Sequence, residues 1–394
     1  MAVGEARAGV LEGRAPAPTG ERRPLRAVVV GVSKGSTCGM RDHAVLLASA
    51  LEAESVSCSM HWLWRSAVSI RAVRSEFRSW TDALAREIEA SGPDVVILHY
   101  SVFSYSYKGF PLFVRPTLSA LSGPRPLITV LHEFAYPWRY GGLQGDAWAL
   151  TQRAAMVGVM KHSAAVLVTA PFREQWLASR RWLARRPIAF APVFSNLPAP
   201  TVAGGAADRV AGRMIGLFGY AYEGADAALV LDAVRLLRDR GQPVRLRLLG
   251  APGPGTPAAE RWIADATARG LERALSFSGL LEAQELANAL AACDVLLHVA
   301  RAGPTSRKGT LAASLVSGRP VVAIDGPRRW DELFRLGAAL VVPPTADALA
   351  GAVAGLLEDG ERREALGARG AAFARGAMGV QRSARAVRGL LDAL

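Results

Sequence analysis

The chain has 394 residues, 51% hydrophobic and 21% charged, so it is long enough for two packed cores and too apolar for a disordered polymer. Its 47 Lys and Arg against 34 Asp and Glu leave a formal net charge of +13, which suits nucleic acid, an anionic membrane surface or phosphorylated small molecules. Much of that excess is arginine accompanied by abundant alanine and glycine, a signature of genome base composition that lowers its weight as a functional clue.

Residues 1–25 lack an apolar stretch that would serve as a signal core and read as a disordered leader. "RAVVVGV" (26–32) is a short continuous apolar run, the pattern of a strand buried on both faces. It breaks at "SKGSTCG" before the amphipathic "MRDHAVLLASALEAE", giving strand, glycine-bearing loop and helix. "DVVILHY" (94–100), "PLITVLHEF" (126–134), "AAVLVTA" (164–170) and "IAFAPVF" (188–194) repeat the strand signal, with helical patterns between most of them. Such alternation predicts a parallel sheet covered by helices, with a first domain over 26–198.

Residues 195–213 are rich in Pro, Gly and Ala without a periodic apolar face, and a linker is expected over 199–213. Strands resume as "MIGLFGY" (214–220), "VRLRLLG" (244–250), "LSFSG" (275–279), "DVLLHVA" (294–300), "PVVAI" (320–324) and "ALVVPP" (339–344), defining a second domain over 214–375. The fold class is α/β, two doubly wound Rossmann-like halves facing a central cleft, where the carboxyl ends of the strands bind ligands. No run approaches the length of a membrane span, so at most peripheral membrane contact is expected. Cys38, Cys58 and Cys293 are odd in number and widely spaced, which argues against a disulfide framework and fits a reducing cytoplasm.

The richest stretch is "GPTSRKGTLAASLVSGRPVVAIDG" (303–326), in which a glycine-bearing loop and two cations precede a helical pattern. Unpaired amides at a helix start favour an anion, and Arg307 offers a fork to phosphate oxygens beside the point charge of Lys308. A bland alternative keeps both cations solvated, with Ser306 or Thr305 as the cap and Thr310 as a packing residue. His132 and Glu133 end a strand beside the cleft; His132 is placed to take a proton from an acceptor hydroxyl or to orient it, or else merely bonds neighbouring backbone. Glu133 supports a nearby loop or faces the acceptor. Loops 99–109 and 134–142 carry Tyr100, Tyr105 and Tyr136, rings that stack on sugars and apolar aglycones or form an ordinary rim. The six histidines show no pair at metal-ligand spacing, so no metal is expected. Nucleic-acid binding is disfavoured because the basic residues are scattered.

"STCGMRDHAVLLASAL", "LHEF" (131–134), "VFSNLP" (193–198), "FGY" (218–220) and "SRKGTLAASLVSGRPVV" resemble, in order, landmarks of family 4 glycosyltransferases, the last most closely in a branch carrying "SRRG". The resemblance implies the GT-B fold, with acceptor mostly in the first domain, donor mostly in the second, and a last helix, within 376–394, packing back on the first. It implies sugar transfer from a nucleotide-diphosphate donor, with retention and without another cofactor. Donor contacts are implied at Gly39, Gly219, Ser306, Arg307, Lys308, Gly309, Thr310 and Glu332, with Asp331 competing for the role of Glu332. His132, Arg307 and Lys308 are the expected catalytic groups. Two glutamates usual in the family fall here on Thr305 and Ala313, and a non-catalytic partner that keeps the fold is the alternative.

Overall fold

The structure, a computed structural model, describes residues 23–35, 38–180, 186–201, 213–221 and 226–394. Most of the expected leader, and residues 202–212 of the expected linker, lie outside the described residues.

The first sheet comprises β1 (Leu25–Lys34), β2 (Val56–Arg65), β3 (Val95–Ser101), β4 (Leu127–Glu133), β5 (Ala165–Val168) and β6 (Ile188–Phe190), in the order β2-β1-β3-β4-β5-β6. The second comprises β7 (Arg213–Phe218), β8 (Val244–Leu249), β9 (Leu275–Phe277), β10 (Val295–His298), β11 (Val321–Ile324) and β12 (Leu340–Val342), in the order β12-β11-β10-β7-β8-β9. Every strand pairing in the two sheets is parallel, and helices cover both faces, which is why most of the inner strands read as apolar runs, β8 ("VRLRLL") being the alternating exception. One face of the first sheet is packed around Phe77, Trp80 and Met160, and the other around Leu47, Leu51 and Ile97.

Two strands differ from the expectation. β2 is absent from the sequence reading because it is an edge strand, its "VSCSMHWLWR" mixing half-buried polar and aromatic side chains instead of forming an apolar run. β6 stops at Phe190 instead of reaching Phe194, because the chain leaves the sheet there and the Val193 amide donates to Ser306 O in the other lobe at 2.8 Å.

The strand order reverses beside β1 in the first sheet and between β7 and β10 in the second, so both crevices open at carboxyl strand ends. The last helix, Val380–Asp392, buries Ala384, Val387 and Leu390 in the core of the first sheet, together with Ala27, Val29 and Ile97. Burying those side chains contributes about 1.5–3 kcal/mol for each larger aliphatic and returns the chain to the lobe where it began.

Candidate functional site between the lobes

Residues 305–308 leave the carboxyl end of β10 and meet the ends of β4 and β5 across the interlobe boundary. Ser306 is 1% exposed, and its hydroxyl donates to Thr169 O at 2.9 Å while its carbonyl accepts from Val193. With both polar groups engaged, Ser306 fastens the lobes together instead of facing a donor, as the sequence had suggested. Thr305 is also buried, with its hydroxyl unpaired among the described residues, and Ala313 lies in the core.

Arg307 crosses to the first lobe and donates to Glu133 Oε1. The other carboxylate oxygen accepts from Arg173 Nη2 at 3.4 Å, while Arg173 Nη1 donates to His132 O at 2.6 Å. Arg173 sits in the first turn of the helix Pro171–Ala178, directly after β5, and its side chain is 7% exposed. Burial foremost, then the charge of Arg307, pulls Arg173 down to about 10 against the opposing pull of Glu133. Burial and Arg307 likewise lower Lys308. Three cations thus share one carboxylate beside the helix Gly309–Val316, whose first turn has no side-chain cap. Its opening amides, at Gly309 and Thr310, and the cation excess are features that favour an anion at this spot.

Glu133 already grips two of those cations. Glu133→Gln is expected to lower folding stability by about 1–2 kcal/mol, because a largely buried guanidinium loses its counter-charge at a partly solvated carboxylate. The same change is expected to tighten anion binding by releasing Arg307. A urea midpoint that falls while affinity for inorganic pyrophosphate rises is the diagnostic pair of results.

Behind this site lie three imidazoles that sequence spacing did not connect. One ring nitrogen from each of His43, His99 and His132 falls within 4.8 Å of the others, and His99 Nδ1 is 3.1 Å from His132 Nε2. His99 Nε2 is buried without a partner among the described residues. A bare buried lone pair costs less than an orphaned N–H, which places the His99 proton on Nδ1, donating to His132 Nε2. His132 then carries its own proton on Nδ1. Burial foremost, then His43, His99, Arg173 and Arg307, keeps His132 well below its ordinary value of 6.5, so it is neutral and a hydrogen-bond donor, poorly suited to act as a base. A divalent cation among these rings would have to break the His99–His132 bond and sit beside two guanidinium groups. The cluster is accordingly a hydrogen-bonded, stacked His99–His132 pair with His43 edge-on to both and stacked on Phe194.

The remaining expected contacts are dispersed. Gly39 opens the helix Gly39–Glu52, its carbonyl accepting from Asn196 Nδ2 at 2.9 Å, and Gly219 follows β7 at φ +85°. Glu332 lies 3.6 Å from Arg382 of the last helix. It lines a cavity of about 390 Å³ next to Thr305 and Ser306, walled by Phe172, Phe190, Trp330 and Arg328. Tyr100 and Tyr105 are core residues: both are about 1% exposed, stacked at 5.6 Å, and Tyr105 donates to His99 O. Neither ring reaches the cleft, so both are withdrawn from the acceptor side. Tyr136 is half-buried against Trp148 in the loop after β4. Arg173 is the site residue the sequence reading overlooked; its signal was a cation two residues past a proline that starts a helix right after "AAVLVTA".

Two Rossmann-like sheets with a cation-lined boundary and a returning last helix define the GT-B architecture. Residues 212–359 match the family model described as glycosyl transferases group 1. Solved structures of similar fold include sucrose-phosphate synthase from Thermosynechococcus elongatus (16% identity, TM-score 0.67, 94% of this chain and 100% of that one). HepE of Anabaena, in complex with UDP and glucose, is also similar (14% identity, TM-score 0.65, 94% and 100%). So is UDP-GlcNAc 2-epimerase from Neisseria meningitidis bound to UDP-GlcNAc (10% identity, TM-score 0.57, 94% and 100%). No curated protein matches the sequence.

Proposed function

We propose that the protein transfers a sugar from a nucleoside-diphosphate donor to an acceptor hydroxyl. The observation that carries this reading is the interlobe cluster of Arg173, Arg307 and Lys308 at an uncapped helix start, with Glu133 its one carboxylate among the described residues. Arg307, Lys308 and the opening amides of the Gly309 helix bind the diphosphate and stabilise the charge that grows on it as the bond to the anomeric carbon breaks. The acceptor oxygen forms the new bond to that carbon. Its proton passes to an oxygen of the departing diphosphate, because Glu133 is engaged by two arginines and His132 already bears a proton on its available nitrogen. Attack beside the leaving group implies retention. His132 Nδ1–H orients a sugar or acceptor oxygen, and Gly39, Gly219 and Tyr136 belong to the donor and acceptor margins of the same reading.

The fold also houses an epimerase, so architecture does not choose the reaction; the match of residues 212–359 to a transferase family supports transfer. A second reading, nucleotide binding without turnover, draws on the absence of carboxylates at Thr305 and Ala313. UDP, GDP, ADP and dTDP should be screened by thermal unfolding. At a ligand concentration one hundred times Kd the bound nucleotide is expected to stabilise the fold by about 2.7 kcal/mol. No shift with any of them sinks both readings; a shift without release of nucleoside diphosphate from any sugar donor favours the second.

A further inference from the structure

A helix on the outside of a globular domain normally turns a polar face to water. The helix Gly142–His162 departs from this over its first turns: Leu143, Ala147, Leu150 and Ala154, spaced by four, three and four residues, all fall on its exposed face. Gln144 is the one exposed polar residue among them, and the exposed Lys161 and His162 come only at the far end of the helix. Leu143 is 92% exposed and Leu150 61%. The loop before it adds Trp138 and Tyr140, both exposed, and is held rigidly to the helix. The Tyr136 amide donates to Gln152 Oε1 at 2.7 Å, the Arg139 amide to Asp146 Oδ1 at 2.7 Å, and the Arg153 guanidinium lies 4.5 Å over the Trp138 ring. Gln152 Nε2 also donates to Gly109 O at 2.7 Å, which brings exposed Lys108 and Leu112 to the same end of the lobe.

The charges placed beside the loop and the first turns of the helix are mostly basic: Lys108, Arg139 and Arg153 against Asp146. Glu133 is turned into the cleft toward Arg307 and Arg173, and Asp146 is spent on the Arg139 amide.

We infer that this face is a docking surface for an anionic lipid bilayer. Leucines at the centre enter the acyl boundary, Trp138 and Tyr140 seat their amphipathic rings at headgroup level, and the surrounding Lys and Arg meet lipid phosphates. A second copy of the chain is the poorer occupant, because a twofold pairing would set these like charges against one another. The inference does not depend on sugar transfer, since it rests on exposure and charge outside the cleft.

Vesicle co-sedimentation of the full chain tests it, using phosphatidylcholine alone and an equimolar mixture with phosphatidylglycerol at physiological salt. Because the whole chain carries +13, attraction to anionic vesicles is not diagnostic by itself. The discriminating protein is the double variant Leu143→Ser, Leu150→Ser, which leaves every charge in place and touches no core residue. Wild type is expected to bind the mixed vesicles at least tenfold better than the neutral ones, and the double variant to lose at least tenfold. Equal binding by wild type and variant, or no binding by wild type, overturns the proposal. So does a concentration-dependent dimer in sedimentation that the same variant abolishes.

Discussion

Replacing Arg307 and Lys308 together by alanine is expected to weaken nucleoside-diphosphate binding at least a hundredfold. Each cation supplies charge-assisted hydrogen bonds worth about 1.5–3 kcal/mol to a phosphate, so losing both removes about 3–6 kcal/mol. The fold survives the change, because Arg307 is partly solvated and its partner Glu133 retains Arg173. Calorimetric titration, with the urea midpoint as a control for folding, measures both quantities. Arg307→Lys separates charge from shape: it keeps the positive charge but loses the fork, and should fall between wild type and the double variant. Undiminished affinity in the double variant would move the anion site away from the Gly309 helix and remove the basis of the proposed chemistry.

Mild acid is expected to destabilise the protein strongly. Burial pulls His43 to about 3 and His298 to about 4, and holds His99 and His132 well below the ordinary 6.5. The folded chain therefore keeps these rings neutral while the unfolded chain takes up protons as pH falls through 6.5. Their contribution is complete above that value and shrinks steadily below it, by about 1.4 kcal/mol per pH unit for each ring. Between pH 7.5 and 5.5 the four together are expected to cost about 5 kcal/mol, seen as a steep fall of the urea midpoint. His43→Leu removes one of the four and should flatten that slope by about a quarter. A midpoint unchanged at pH 5.5 would mean that the rings are solvated.

Much of the architecture was readable because parallel strands buried on both faces leave apolar runs; eleven of the twelve strands were located that way, although β8 ("VRLRLL") alternates arginine with leucine. β2 escaped because an edge strand is covered on one side only, so "SCSMHWLWR" keeps polar residues among its aromatics. The cleft was harder to read. Arg307 and Lys308 announce themselves by following a glycine-bearing loop, but Glu133 lies 174 positions away from Arg307 and Arg173 forty from Glu133, distances at which no local pattern operates. The imidazole stack is invisible for the same reason, since His99 and His132 are brought together only by the pairing of β3 with β4. Tyr100 and Tyr105 misled because an aromatic-rich stretch reads as a rim, whereas a strand end that turns inward makes it core. Ser306 misled differently: a hydroxyl at a helix start suggests a ligand contact, and only the opposing lobe reveals its real partner.

That partner has a mechanical corollary. One short turn carries both the cations of the proposed anion site, residues 307 and 308, and the latch between the two halves of the molecule, residue 306 with its hold on Thr169 and Val193. Residues 306 to 308 all ride on the second lobe, so parting the halves would break the hold of residue 306 on Thr169 and the Arg307–Glu133 pair together, and an anion that drew Arg307 away from Glu133 would be expected to loosen one of the ties between the jaws.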